Sequence, residues 1–137
     1  MKITIQGKPI AKARPRFARR GKFVVTYNDQ ETEEGRWLWE AKSQVDQCFA
    51  GPVWISCHFY MPRPKGHFGT GKNTGKLKAR APEYHVKKPD IDNLEKFVYD
   101  CLKGLSWNDD SQIVEKYGKK IYSEDPHTVI KIGEITK

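Results

Sequence analysis

Residues 87–104 read Lys-Lys-Pro-Asp-Ile-Asp-Asn-Leu-Glu-Lys-Phe-Val-Tyr-Asp-Cys-Leu-Lys-Gly. Asp90 follows a proline and precedes an apolar-periodic run, the position of a helix N-cap, where a carboxylate is worth about 1 kcal/mol. Ile91, Leu94, Phe97 or Val98, and Cys101 recur at the helical period, and Gly104 is a stop signal, so the spacing predicts a helix over 91–102. A helix with one apolar face must lay that face on another element, and the flanking sequence supplies strands for it.

Downstream, 112–122 and 128–135 predict two strands, paired as a hairpin around Glu124, Asp125 and Pro126. Upstream, 53–61 is β-branched and aromatic enough for a buried strand. Before it, a helix is expected from Asn28 or Asp29, with acids in its first turns, an apolar face of Trp37 or Leu38, Ala41, Val45 and Cys48, and an end at Gly51 and Pro52. At the amino end, 2–6 alternates as a strand, 8–20 reads as a basic loop, and 22–27 predicts a strand returning beside the first. The order β, β, α, β, long arm, α, β, β predicts an α+β fold: one domain over residues 1–137, two helices on a mixed or antiparallel sheet, with a basic arm at about 62–89.

The chain is short enough for one core and carries 25 Lys and Arg against 17 Asp and Glu, a net charge of +8. Residues 1–28 hold eight basic side chains and no acid, and 62–89 hold eight more against Glu83 alone. A solvated loop explains either segment singly. Two of them, interleaved with proline and aromatic residues, favour a polyanionic partner bound in a salt-dependent way. Lys12, Arg14, Arg16, Arg19, Arg20, Lys72, Lys76, Lys78, Arg80, Lys87 and Lys88 are the candidate DNA contacts. No apolar run is long enough to span a membrane. Cys48, Cys57 and Cys101 are odd in number and form no CxxC pair, which disfavours a disulfide framework or zinc knuckle and fits a reducing cytoplasm.

Gly66, Gly71 and Lys72 mimic a phosphate-binding loop, but Asn73 stands where Ser or Thr would hold magnesium. Cys57 and His58, adjacent on a strand, point to opposite faces and read as structural. His67, His85 and His127 are isolated, with surface or phosphate-contacting roles favoured over metal ligation. Asp90 and Asp92 are different, because capping does not explain the second acidic pair, Asp109 and Asp110, leading into the next strand. Clustered carboxylates raise one another's pKa unless a cation compensates them, and hard oxygen donors suit Mg²⁺ or Mn²⁺. Lys96, four residues beyond Asp92, would bring an ammonium to charge building on a phosphate. The set reads as metal-assisted phosphodiester hydrolysis.

The run KPDIDNLEKFVYDCLKG with WNDDSQI, preceded by KPIAKARPRF, resembles the RusA-type Holliday junction resolvases, small endonucleases common in phages and prophages. The resemblance implies a homodimer that cuts branched DNA, a four-way junction, by paired symmetric incisions with Mg²⁺, for which Mn²⁺ can substitute. It implies Asp90, Asp92 and Asp110 as metal ligands, with Asp109 as the alternative for the last, and Lys96 as the essential lysine. The alternatives are a metal-dependent nuclease for flaps or duplex and a non-catalytic DNA-binding module. One distance strains the assignment: a helix from Asp92 to Gly104 is about 18 Å long, and six extended residues return at most about 20 Å. The favoured resolution is that Asp90 and Asp92 precede the helix on a bent approach; a shorter helix, or a second acid arriving across a dimer interface, would also serve.

Overall fold

The computed structural model describes residues 1–12, 16–20, 23–27 and 31–136, with backbone alone for 16–20, 23–27 and 31–32. Strands β1 (Lys2–Gln6), β2 (Arg16–Arg20) and β3 (Phe23–Tyr27) precede helix α1 (Glu31–Lys42). Strand β4 (Val53–Pro62), helix α2 (Ile91–Leu102), and strands β5 (Ile113–Ser123) and β6 (His127–Glu134) complete the order. The fold is α+β with a four-stranded mixed sheet, β1-β6-β4-β5, and a separate two-stranded ribbon, β2-β3.

Strand β4 is the axis of the sheet. Its ten residues alternate without interruption: Val53, Ile55, Cys57, Phe59 and Met61 are buried, and the residues between them are half-buried. Cys57 and His58 therefore do face opposite ways. The buried side meets Trp37 and Ala41 of α1 and Leu94, Phe97, Val98, Cys101 and Leu102 of α2, in one cluster that includes Ile3, Ile5, Ile130 and Ile132. Trp37 and Phe97 join the two helices edge to face, 5.4 Å between ring centroids. Helix α2 has the predicted bounds and the predicted apolar face. It crosses β5 closely at Gly118, where an added Cβ would stand 2.8 Å from Glu95 Oε2 and 3.0 Å from Ile91 Cδ1.

Three local expectations are corrected. The last two strands form no hairpin: β4 lies between them, parallel to β5 and antiparallel to β6. Ser123 stands opposite Pro62 and His127 opposite Tyr60, so the short connection steps over the end of β4. Four peptide steps reach about 14 Å, enough for two strand spacings of about 4.8 Å each. Second, the end of the expected basic loop, Arg16–Arg20, is strand β2, and β3 pairs with it, not with β1, whose partner is β6. Third, α1 stops at Lys42, well before Gly51, leaving Val45 half-buried and Cys48 exposed. Just past that end the Gln44 side-chain amide accepts from Thr4 N at 2.8 Å and donates to Thr4 O at 2.9 Å, acting as a one-residue strand on the open edge of β1. The expected helix start at Asn28 or Asp29 lies outside the described residues.

The arm is tied down. Two 3-10 turns, Lys65–His67 and Gly71–Asn73, fold it on itself. Arg63 donates to Pro82 O at 2.8 Å. Tyr84 bridges Ile121, with His85 N donating to Lys120 O and Tyr122 N donating to Glu83 O, so the end of the arm pairs with the outer edge of β5. Among the described residues, no helix is long and apolar enough to cross a membrane.

Candidate active site at the start of α2

Asp90 is the N-cap of α2 by backbone conformation, but its carboxylate makes no capping hydrogen bond. Its carbonyl accepts from Asn93 N and Leu94 N instead. Both oxygens are thus left for another purpose, beside the positive end of the helix dipole. Asp92, one residue inside the helix, accepts from Asn93 N at 2.9 Å. Lys96 Nζ stands 4.0 Å from Asp92 Oδ2, each side chain about three-fifths exposed. Such a pair contributes little to stability; what it does is hold an ammonium one turn beyond the Asp92 carboxylate.

The loop before Asp90 is held from below by a residue that the sequence pattern did not single out. Lys120, on the helix-facing side of β5, donates from Nζ to Lys87 O at 2.6 Å and to Pro89 O at 2.7 Å. Burial lowers its pKa, and the nearby charge of Asp90 opposes that shift. The only trace in the sequence is Lys116, Gly118 and Lys120 at alternate positions of a strand, a polar stripe on what proves to be an inward face. Lys116 answers a second residue missed there, the buried Glu95, at 3.2 Å.

The acidic doublet sits elsewhere. Asp109 accepts from the backbone N and hydroxyl of Ser111, while Gln112 reaches back to Asp109 N, a capping box that closes the 3-10 turn Asp110–Gln112. The Ser111 hydroxyl and then its backbone N–H hold the Asp109 carboxyl below the usual carboxylate range. Asp110 accepts from the indole of the fully buried Trp107 at 2.8 Å through one oxygen. Trp107 bridges Lys103 by backbone and packs edge-on to Tyr99, 6.1 Å between centroids. Burial first, then Glu95, Cys57 and Asp110, raises the pKa of Tyr99, whose hydroxyl is buried without a partner.

Asp110 is therefore anchored against residues 99–103, nine to thirteen positions along α2 from Asp90, about 14 to 20 Å at 1.5 Å per residue. The bent approach holds for Asp90 only: Asp92 is inside α2, and the helix keeps its full length. Among the described residues, no three His, Cys, Asp or Glu side chains stand close enough to hold a metal ion. The donors are of the right chemistry for Mg²⁺, but the described residues of one chain do not gather three of them.

The basic candidates divide in three. Lys72, Lys76, Lys78, Arg80, Lys87 and Lys88 are exposed on the arm and at its end. Lys12 is also exposed, but is engaged with Asp100 at 3.0 Å, which raises its pKa. Arg14 and the side chains of Arg16, Arg19 and Arg20 lie outside the described residues. His85 departs from expectation, being buried at 9% exposure, because the arm folds it against Tyr122. His127 stacks on Tyr60, centroids 4.2 Å apart.

Residues 6–133 match the family described as endodeoxyribonuclease RusA. The chain is also 31% identical over 142 residues to the uncharacterized protein YqaN of Bacillus subtilis strain 168, an alignment covering 99% of this chain and 97% of the relative. With its carboxylate-bearing helix start, its basic arm and a family match spanning nearly its whole length, the chain belongs to the RusA endodeoxyribonuclease family.

Proposed function

We propose that this protein is a Mg²⁺-dependent endonuclease that resolves four-way DNA junctions by paired, symmetric phosphodiester hydrolysis, acting as a homodimer. The observation that carries the reading is the start of α2: two carboxylates, the uncapped Asp90 and the exposed Asp92, with Lys96 one turn beyond Asp92 and the exposed Lys87 and Lys88 immediately before Asp90. Mg²⁺ when bound would polarise the phosphate and activate water. Asp90 and Asp92 offer hard oxygen donors, Lys96 stabilises the negative charge that builds at the scissile phosphate, and Lys87 and Lys88 draw in the DNA backbone.

Of the doublet, Asp110 is the ligand we favour, since Asp109 is committed to closing the 3-10 turn. Its separation from Asp90 favours completion of each site across a twofold interface, Asp90 and Asp92 from one protomer meeting Asp110 of the other. A twofold dimer also suits a junction that presents two equivalent strands.

The test is cleavage of a labelled mobile junction, a flap and a linear duplex with and without Mg²⁺, mapping every incision. Paired cuts across the branch, abolished by EDTA, are expected. Equal cutting of all three DNAs would mean a general nuclease, and binding without cutting a DNA-binding module. Mixing inactive Asp92→Asn and Asp110→Asn proteins tests the shared site, because a heterodimer then regains one intact centre and nicks junctions. No recovery after verified subunit exchange would place all the ligands within one chain.

A further inference from the structure

Directly upstream of Asp90, the end of β4, the arm and the loop 85–89 enclose a groove of about 340 Å³. Its inner wall is Met61, Pro62, Tyr122 and His85, and Lys8, Arg63, Lys87 and Lys88 also line it. Arg63 lies over the Tyr122 ring at 5.3 Å, and His85 packs edge-on to the same ring at 4.9 Å. Among the described residues, Lys8, Lys87 and Lys88 form no ion pair through their side chains. Nδ1 of His85 is buried and has no hydrogen-bond partner, although the residue is only 9% exposed. A buried polar atom without a partner is costly, and His85 is one of the residues that line the groove.

We propose that this groove takes one unstacked nucleotide of the DNA strand, its base hydrogen-bonded by His85 and its phosphate held by Lys8, Lys87 and Lys88. The proposal rests on DNA being the substrate at Asp90 and adds a subsite for reading a base. The volume is at the low end for small-ligand pockets, the scale of a nucleotide and too small for a duplex. Cations alone would serve any anion; the apolar and aromatic inner wall with an imidazole set in it is what suits a base, which offers a face to pack and an edge to bond. Lys120, by holding the carbonyls of Lys87 and Pro89, fixes the wall that joins this groove to the catalytic carboxylates.

Two measurements test it. In the wild-type protein with labelled histidine, the His85 ring resonances are followed by NMR during titration with a single-stranded trinucleotide and, separately, with tripolyphosphate. A saturable shift with the trinucleotide alone is expected. No movement, or an equal movement with tripolyphosphate, overturns the base-reading role. In the second, incisions are mapped over junctions carrying all four bases at each nucleotide flanking the cut. The wild type should prefer one base at one position by about tenfold, the net worth of a hydrogen bond, and His85→Phe should abolish that preference. A His85→Phe protein that melts like the wild type and keeps the preference refutes the proposal, and if that variant does not fold the NMR result decides alone. The titration requires no cleavage, so a protein that cuts no junction yet binds the trinucleotide through His85 fails the functional reading only.

Discussion

Replacing Lys120 by methionine keeps the length of the side chain and removes the donor that holds the loop before Asp90. Two bonds are lost, to Lys87 O at 2.6 Å and to Pro89 O at 2.7 Å. The first acceptor is exposed and water replaces the ammonium, so its loss costs about 0.5 kcal/mol. The second is partly buried, and a charge-assisted bond there is worth about 1.5 to 2 kcal/mol. Together about 2 kcal/mol of ordering is lost, confined to the loop, because β5 and α2 keep their core contacts. That ordering must be restored whenever Asp90 is engaged, which weakens divalent-ion binding and raises the Mg²⁺ needed for half-maximal cleavage by about 30-fold. Calorimetric titration with Mn²⁺ and a Mg²⁺ series in the junction assay measure both, with a thermal melt to show that the fold survives. If Lys120→Met binds Mn²⁺ and cuts within twofold of the wild type, the loop does not depend on this clamp and the positioning argument is wrong.

The buried Glu95 and the half-exposed Lys116 should respond asymmetrically. Lys116→Met leaves a carboxylate buried alone and should lower stability by about 1 to 3 kcal/mol in denaturant unfolding, whereas Glu95→Leu should cost less or stabilise; equal losses would contradict this. Burial, and after it neighbouring positive charge, lowers the pKa of His85 and of His58. The unfolded chain therefore takes up protons first, and stability is complete above the ordinary imidazole pKa of about 6.5 and falls below it. The melting temperature should drop between pH 7.5 and 5.5, less so in His85→Phe, and a rise on acidification would reverse the sign of the argument. Burial pushes the Cys57 and Cys101 thiols up to about 12, while Cys48 is exposed. Brief iodoacetamide treatment of the folded protein should label one cysteine, identified by mass spectrometry as Cys48; labelling of Cys57 would show that the sheet and α2 separate readily.

The features legible in the sequence are those set by neighbours along the chain. The bounds and apolar face of α2, the buried strand at 53–61 and the meeting of Asp92 with Lys96 on one helix face all depend on residues a few positions apart, and each stands in the structure as the pattern implied. What the tertiary structure decided is what depends on residues far apart in the chain. Local pattern cannot tell whether two successive strands pair or let β4 pass between them, because either arrangement buries the same alternating residues. Nor could it show that the Gln44 side chain would complete the edge of β1 forty residues away. The same holds at the site. Lys120 reads as one lysine among many until β5 is laid under the loop at Pro89, and Asp109 and Asp110 look equivalent until one closes a turn and the other meets the Trp107 indole. Periodicity specifies which face of an element is apolar; which partner covers that face, and how far apart two carboxylates then stand, follows only from packing the elements together.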